Sequence, residues 1–125
     1  MQVASGYAYT FYYCEAMHTI DVLRSDENTA WNNAFSACKA LQNLTIEGTI
    51  AKNGFSVSAC VSLSKKSIES IIAALSTTTT GLTVTFSAAS VNKAFETSEG
   101  ANDGSTSTEW TALTAEHNNW TIALA

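Results

Sequence analysis

A pattern that occurs twice in the first half of the chain constrains its fold more than any other feature. Phe11-Tyr-Tyr-Cys14-Glu-Ala-Met17-His-Thr-Ile20-Asp-Val22 aligns with Phe35-Ser-Ala-Cys38-Lys-Ala-Leu41-Gln-Asn-Leu44-Thr-Ile46 at an offset of 24 residues. A third copy, Val57-Ser-Ala-Cys60-Val-Ser-Leu63, follows 22 residues later, with Val57 in the aromatic slot, Lys66 at an apolar position and Ile68 back in phase. A unit of roughly 20 to 29 residues with one short apolar strand cannot bury that strand alone, so successive units stack as a coil. Each crossover then carries the chain forward one rung, which makes the sheet parallel.

Alternation of apolar and polar residues locates the rungs. Leu44-Thr45-Ile46-Glu47 and Ile20-Asp21-Val22 send alternate side chains to opposite faces, as a half-buried strand requires. Leu82-Thr83-Val84-Thr85-Phe86 and Trp120-Thr121-Ile122-Ala123-Leu124 keep the same rhythm and are rich in β-branched and aromatic residues. Between them, Ile68, Ile71, Ile72 and Leu75 at i, i+3, i+4 and i+7 predict a helix over Ser67 to Leu75, with Ser67 as N-cap and Glu69 in the first turn. Weaker helical patterns run from Ala88 to Thr97, from Ser107 to His117, and over Glu27 to Ala37. Thr77 to Gly81 and Ser98 to Ser105 are turn and loop by composition. The chain is therefore expected to be one α/β domain over 1–125. Its N-terminal repeats occupy 1–66, and helix-strand repeats with the closing end occupy 67–125.

The repeat units resemble BspA-type leucine-rich repeats in their F-x-x-C-x-x-L-x-x-[IL] spacing. The tail from Ser67 through Leu82–Phe86 to Trp120–Leu124 is similar to the C-terminal repeat ends of surface proteins and phage tail-associated proteins of gut bacteria. The resemblance implies a short leucine-rich-repeat solenoid, with a parallel sheet of about four or five strands on one face and helices on the other. It also implies binding and cell adhesion rather than catalysis, at an extracellular, cell-surface or virion location. A capping module that ends a longer repeat array is the alternative.

Charge and hydropathy narrow the partners. Eleven acidic against six basic residues give a net charge of −5 and a pI near 4.8, which disfavours nucleic acid. No apolar run approaches the roughly 18 to 20 residues that cross a bilayer, so membrane insertion is not expected. MQVASGYAYT has neither the basic nor the apolar region of a secretory signal, which suits a phage product or a piece of a longer secreted chain. A protein or a cell-surface glycan remains as partner. Self-association through the N-terminal end is a further expectation, because the coil before Phe11 is incomplete unless a strand near Gln2 to Ala4 covers it.

Few residues invite chemistry. Cys14, Cys38 and Cys60 recur about once per repeat and read as a stack of small buried hydrophobes. A disulfide between two rungs and a metal site are the alternatives, against an odd count and no C-x-x-C pair. His18 and His117 lie in no catalytic frame, and no Gly-rich phosphate loop or G-x-S-x-G elbow is present. Both histidines are expected at the surface, and no cofactor is implied. Recognition has two candidate surfaces. Tyr12 and Tyr13 stand where the next copies have Ser36-Ala37 and Ser58-Ala59, with Tyr7 and Tyr9 nearby. Such tyrosines either contact a ligand or cover the first coil. The outward strand positions Thr19, Asp21, Asn43, Thr45, Glu47, Thr83, Thr85 and Thr121 form the other surface, which either presents hydroxyls to a ligand or is a solvated sheet. The candidate ligand-binding residues are Tyr12, Tyr13, Thr45, Thr83 and Thr85.

Overall fold

The architecture is that of a computed structural model, which describes Tyr7 and residues 9–125. The strand expected near Gln2 to Ala4 lies outside the described residues. The fold is mixed α/β with parallel sheets. β1 (Thr19–Ser25), β2 (Asn43–Gly48) and β3 (Ser56–Val57) precede α1 (Lys65–Ala74). β4 (Leu82–Phe86), α2 (Ala88–Ala94), a 3-10 turn (Gly104–Thr106), α3 (Thr108–Ala115) and β5 (Trp120–Leu124) complete it.

The repeat offset is written into the backbone. β1 pairs with β2 in parallel, Thr19 opposite Asn43 and Ile20 opposite Leu44. An irregularity after Ile20 then shifts the register, so that Leu23 and not Val22 lies opposite Ile46. The shift turns Leu23 and Ser25 into the core and leaves Val22 half-buried. Ahead of these strands the two Phe-x-x-Cys segments also run side by side. The N–H groups of Tyr7, Tyr9, Phe11 and Tyr13 donate to the carbonyls of Ala30, Asn32, Ala34 and Ser36.

Those carbonyls explain why the helix expected over Glu27 to Ala37 does not form. They are committed to the neighbouring copy, and Asn33 and Ala37 take positive φ, 55° and 64°, which no α-helix accommodates. Asp26 reinforces the break by accepting from the Asn28 N–H at 2.8 Å and the Thr29 hydroxyl at 3.2 Å. A succession of turns replaces the helix, stacking Trp31 on Tyr7 and Phe35 on Phe11 with centroids 4.6 and 5.8 Å apart.

The single sheet of four or five strands is split into two. β1 and β2 form one sheet, while β3, β4 and β5 form the other, in that order and all parallel. The cause is α1, which lies along the edge of β2 that β1 leaves open, where a third strand of that sheet would pair. The Leu44 N–H donates to Ser67 Oγ and the Ile46 N–H to Ser70 Oγ, both at 2.9 Å. The same hydroxyls donate back to the carbonyls of Gln42 and Ile46, at 3.1 and 3.4 Å. Ser67 is thus not the helix cap. Ser64 is, its hydroxyl accepting from the Ser67 N–H, so the helix begins two residues before Ser67. Ser90 of α2 repeats the device further along the chain, accepting from the Leu63 N–H at 3.2 Å and donating to the Cys60 carbonyl. α2 and α3 are capped in the same way by Ser87 and Ser107.

One core runs through both sheets, from Trp31, Phe35 and Phe55 through Ile68, Ile71 and Ile72 to Val84, Phe86 and Trp110. β4 and β5 occupy the residues that their alternation marks. The Ser98 to Ser105 loop ends in the 3-10 turn. Asp103 holds it by accepting from the Thr97 N–H and hydroxyl at 2.8 and 2.6 Å.

Candidate functional site

The three cysteines stack as free thiols, Cys38 and Cys60 buried and Cys14 half-buried. Burial pushes the Cys60 thiol up to about 12, with the neighbouring Cys38 adding to the effect, and burial also raises Cys38. The Cys38 thiol donates to the Phe11 carbonyl. Such thiols are packing elements rather than nucleophiles. Among the described residues no group of three or more His, Cys, Asp or Glu side chains is placed to hold a metal ion. His18 is exposed, whereas His117 is buried, against expectation, with its Nδ1 unpartnered. The turn that follows α3 carries it inward, its carbonyl accepting from the Trp120 N–H at 2.9 Å.

A cleft of about 600 Å³ opens beyond the carboxyl ends of β1, β2 and α1. Several of its polar groups are already engaged. Ser25 Oγ donates to the Thr49 carbonyl at 2.6 Å and accepts from the Trp31 indole at 3.3 Å. Asp26 closes its own turn, and Ser76 Oγ accepts from the N–H groups of Thr78 and Thr79.

The tyrosine surface is different. Tyr9, Tyr12 and Tyr13 are 59%, 44% and 62% exposed, while Tyr7 is buried against Trp31 with its hydroxyl donating to the Arg24 carbonyl at 3.1 Å. The three exposed rings form a row of edge-to-face contacts, Tyr9 to Tyr12 at 5.4 Å and Tyr12 to Tyr13 at 4.3 Å. A hydrogen bond with the Tyr13 side chain, and then the charge of that phenol, raise the Tyr12 phenol above its ordinary value. Both Tyr9 and Tyr13 stand on left-handed backbone, with φ of 59° and 58°. A side chain as large as Tyr is an outlier there, costing on the order of 1–2 kcal/mol. At the equivalent places of the second copy, 24 residues on, the same conformation is taken by the smaller Asn33 and Ala37.

Beside the tyrosine segment, whose Tyr13 N–H donates to the Ser36 carbonyl, lies a smaller cleft of about 180 Å³, lined by Asn33, Ser36, Ser56 and Ser58 over Phe35 and Gly54. The Ser36 hydroxyl donates to Asn33 Oδ1 at 3.3 Å, and the Ser56 hydroxyl to Ser58 Oγ at 3.1 Å. Repeat alignment shows Ser36 and Ser58 as the counterparts of Tyr12, but only the fold shows that they share a cleft with Asn33 and Ser56.

The threonines do not converge. Thr45 is exposed on β2, whereas Thr83 and Thr85 are half-buried on β4, in the other sheet. Thr83 faces Thr121 across the β4–β5 pairing, and its N–H donates to Asn53 Oδ1 at 3.1 Å. Thr85 stands between Ser56 and Ala123. The described part of the chain has no helix long and apolar enough to cross a membrane.

No protein-family model matches the chain, nor does any curated protein or solved structure.

Proposed function

We propose that the chain is a non-catalytic binding module, a short leucine-rich-repeat solenoid of BspA-like type that serves as the recognition or adhesion part of a bacterial surface or phage tail protein. The observation that carries this reading is the row of exposed tyrosines, two of them on strained backbone. The fold sets this left-handed backbone in both copies, and a bulky Tyr is kept on it where a smaller residue serves in the second. Tyr rings also give large contact area at low entropic cost. The coil reading is supported by backbone pairing at the repeat offset in both the strands and the Phe-x-x-Cys segments. Self-association through the N-terminal end belongs to the same proposal, since among the described residues β1 pairs on one side only.

The test is a double variant, Tyr12→Ser with Tyr13→Ala, assayed for adhesion to bacterial cells. Adhesion should fall more than tenfold, as expected for aromatic anchors, while the variant stays folded and loses no more stability than the exposed edge-to-face contacts of Tyr12 supply, about 0.5–1.5 kcal/mol each. Full adhesion in a folded variant sinks the reading. One observation favours a second reading, a cap on a longer repeat array: α1 closes the edge of β2 as a sheet-ending element would. Under that reading the same variant unfolds more readily and adhesion never depended on the tyrosines.

A further inference from the structure

We infer that the cleft beside the tyrosine row binds a neutral saccharide, one sugar ring seated among Asn33, Ser36, Ser56 and Ser58 and the adjoining ring lying against the face of Tyr12 or of Tyr13. The inference rests on the binding reading above and names the ligand class of that surface.

The two parts of the site adjoin through the repeat. The Tyr13 N–H donates to the Ser36 carbonyl at 2.9 Å, and Phe11 stacks on Phe35, so the tyrosine rung and the Asn33–Ser36 rung are neighbours. The following rung brings Ser56 and Ser58 to the same cleft. Its volume, about 180 Å³, is below the roughly 300 Å³ of pockets that take drug-sized molecules, which leaves room for about one ring.

The lining selects the chemistry. No charged side chain lines the cleft, so neither an anion nor a cation gains a partner there. The hydrogen-bond inventory is that of a polyol site. Asn33 Oδ1 already takes the Ser36 hydroxyl, which leaves both Asn33 amide hydrogens to donate. Ser58 Oγ takes the Ser56 hydroxyl, which leaves the Ser58 proton to donate and the Ser36 lone pairs to accept. An apolar occupant would strip water from the Asn33 amide without replacing it, and buried polar groups left unpaired are costly. A sugar supplies hydroxyls that donate and accept at once. Its C–H face also suits an aromatic ring, and the tyrosines stand one rung away. Flat apolar contact plus a few fixed hydroxyl partners is the combination that a pyranose satisfies and a charged polymer does not.

The experiment is a panel of neutral, anionic and cationic oligosaccharides presented to the full chain, read by direct binding. We expect binding to neutral members that changes little over a tenfold range of salt, because no charge is screened. Asn33→Gly suits the left-handed backbone at that position and removes only the amide, and Ser58→Ala removes one hydroxyl. Each should weaken binding to the neutral member about tenfold, the worth of one or two lost hydrogen bonds. Selective binding of charged members, or affinity that collapses with salt, overturns the inference. So does unchanged affinity in both folded variants. If no oligosaccharide binds but the tyrosine variant still loses adhesion to cells, the ligand is not a saccharide and the binding reading survives. If the tyrosine variant adheres as well as the parent, the binding reading itself falls.

Discussion

The two edges of β2 meet different neighbours and are satisfied by different chemistry. On one side β1 supplies a backbone, and the strands pair at the offset of the repeat through Ile20 and Leu44 and at one residue less beyond the irregularity. On the other side α1 supplies none, because its N–H and carbonyl groups are spent within the helix. Two serine hydroxyls do the strand's work instead, each accepting from a β2 N–H, with Ser70 donating to a β2 carbonyl and Ser67 to that of Gln42 just ahead of the strand. Ser67 and Ser70 are three residues apart, so both lie on the helix face turned to the strand. Their short, rotatable hydroxyls bridge the difference between about 4.5 Å of helix rise and about 6.6 Å for two strand residues. A sheet edge can therefore be closed without a strand, if hydroxyls recur at helical spacing.

The largest effects should come from the side chains that both neighbours bury. Leu44→Ala and Ile46→Ala are expected to cost about 2–5 kcal/mol each, since β1 and α1 hold the walls apart and the cavity cannot collapse. Thr45→Ala, on the exposed face, should stay within about 0.5 kcal/mol. Urea melts that ranked Thr45 above its neighbours would reverse the register and remove the basis for comparing the two edges.

The serine edge is next. Ser67→Ala orphans the Leu44 N–H, while the Gln42 carbonyl keeps its bond from the Ser64 N–H, and one buried group left unpaired costs about 1–3 kcal/mol. Ser70 is less buried, and Ser70→Ala should cost less. Amide hydrogen exchange localises the change: Leu44 should lose protection in the first variant and Ile46 in the second, while the bonds between β1 and β2 stay protected. If the Leu44 amide exchanges at the parental rate in Ser67→Ala, the hydroxyl was not closing that edge.

This edge also marks where the sequence stops being legible. Alternation located β4, β5 and most of β2 because an in/out pattern is a direct record of which face is buried. The repeat offset gave the parallel pairing for the same reason, since Phe11 on Phe35 and Leu44 beside Ile20 are packed as the alignment sets them. It did not give the split of the sheet. Ile68, Ile71 and Ile72 announce a helix, but nothing in their spacing says that the helix replaces a rung, and the serines that make this workable look like ordinary polar residues. Ser67 even resembles the N-cap that Ser64 turns out to be, because both precede apolar residues at helical spacing. For the site, the contrast of Tyr12-Tyr13 with Ser36-Ala37 was visible by alignment. The left-handed backbone beneath Tyr9 and Tyr13 was not, because Tyr gives no sign of positive φ as Gly or Asn does. The separation of Thr45 from Thr83 and Thr85 likewise depends on where the sheet divides.

The cysteines test whether stacking runs unbroken past the change from strand to helix, since Cys38 and Cys60 lie on either side of it. The Cys60 thiol is held near 12 in the fold and returns to its ordinary value, 9.0, on unfolding. A folded pKa above the unfolded one means that the unfolded state gives up its proton first as pH rises. The full stabilisation is present well below pH 9 and is lost as pH rises toward 12, reaching about 1.4 kcal/mol of loss by pH 10. Comparing urea melts at pH 8 and 10 for the parent and Cys60→Ala isolates this share. A pH dependence equal in the two proteins would mean that the third copy is not packed as tightly as the second.

The smallest effect bears most directly on why the first copy differs from the second. Tyr13 and Ala37 take the same left-handed conformation, yet only one is a bulky aromatic. Tyr13→Gly relieves strain on the order of 1–2 kcal/mol and gives up an exposed edge-to-face contact of about 0.5–1.5 kcal/mol with Tyr12. The net change should lie between about 0.5 kcal/mol of destabilisation and about 1.5 kcal/mol of stabilisation, centred on a slight gain. Tyr12→Gly, which loses ring contacts with no positive φ to relieve, should destabilise instead. Both variants should lose adhesion, so a stabilised Tyr13→Gly that no longer adheres would place the strain of the first copy in the service of binding. A Tyr13→Gly variant as unstable as Tyr12→Gly would show that the rings hold the first coil together, which is the expectation for a cap.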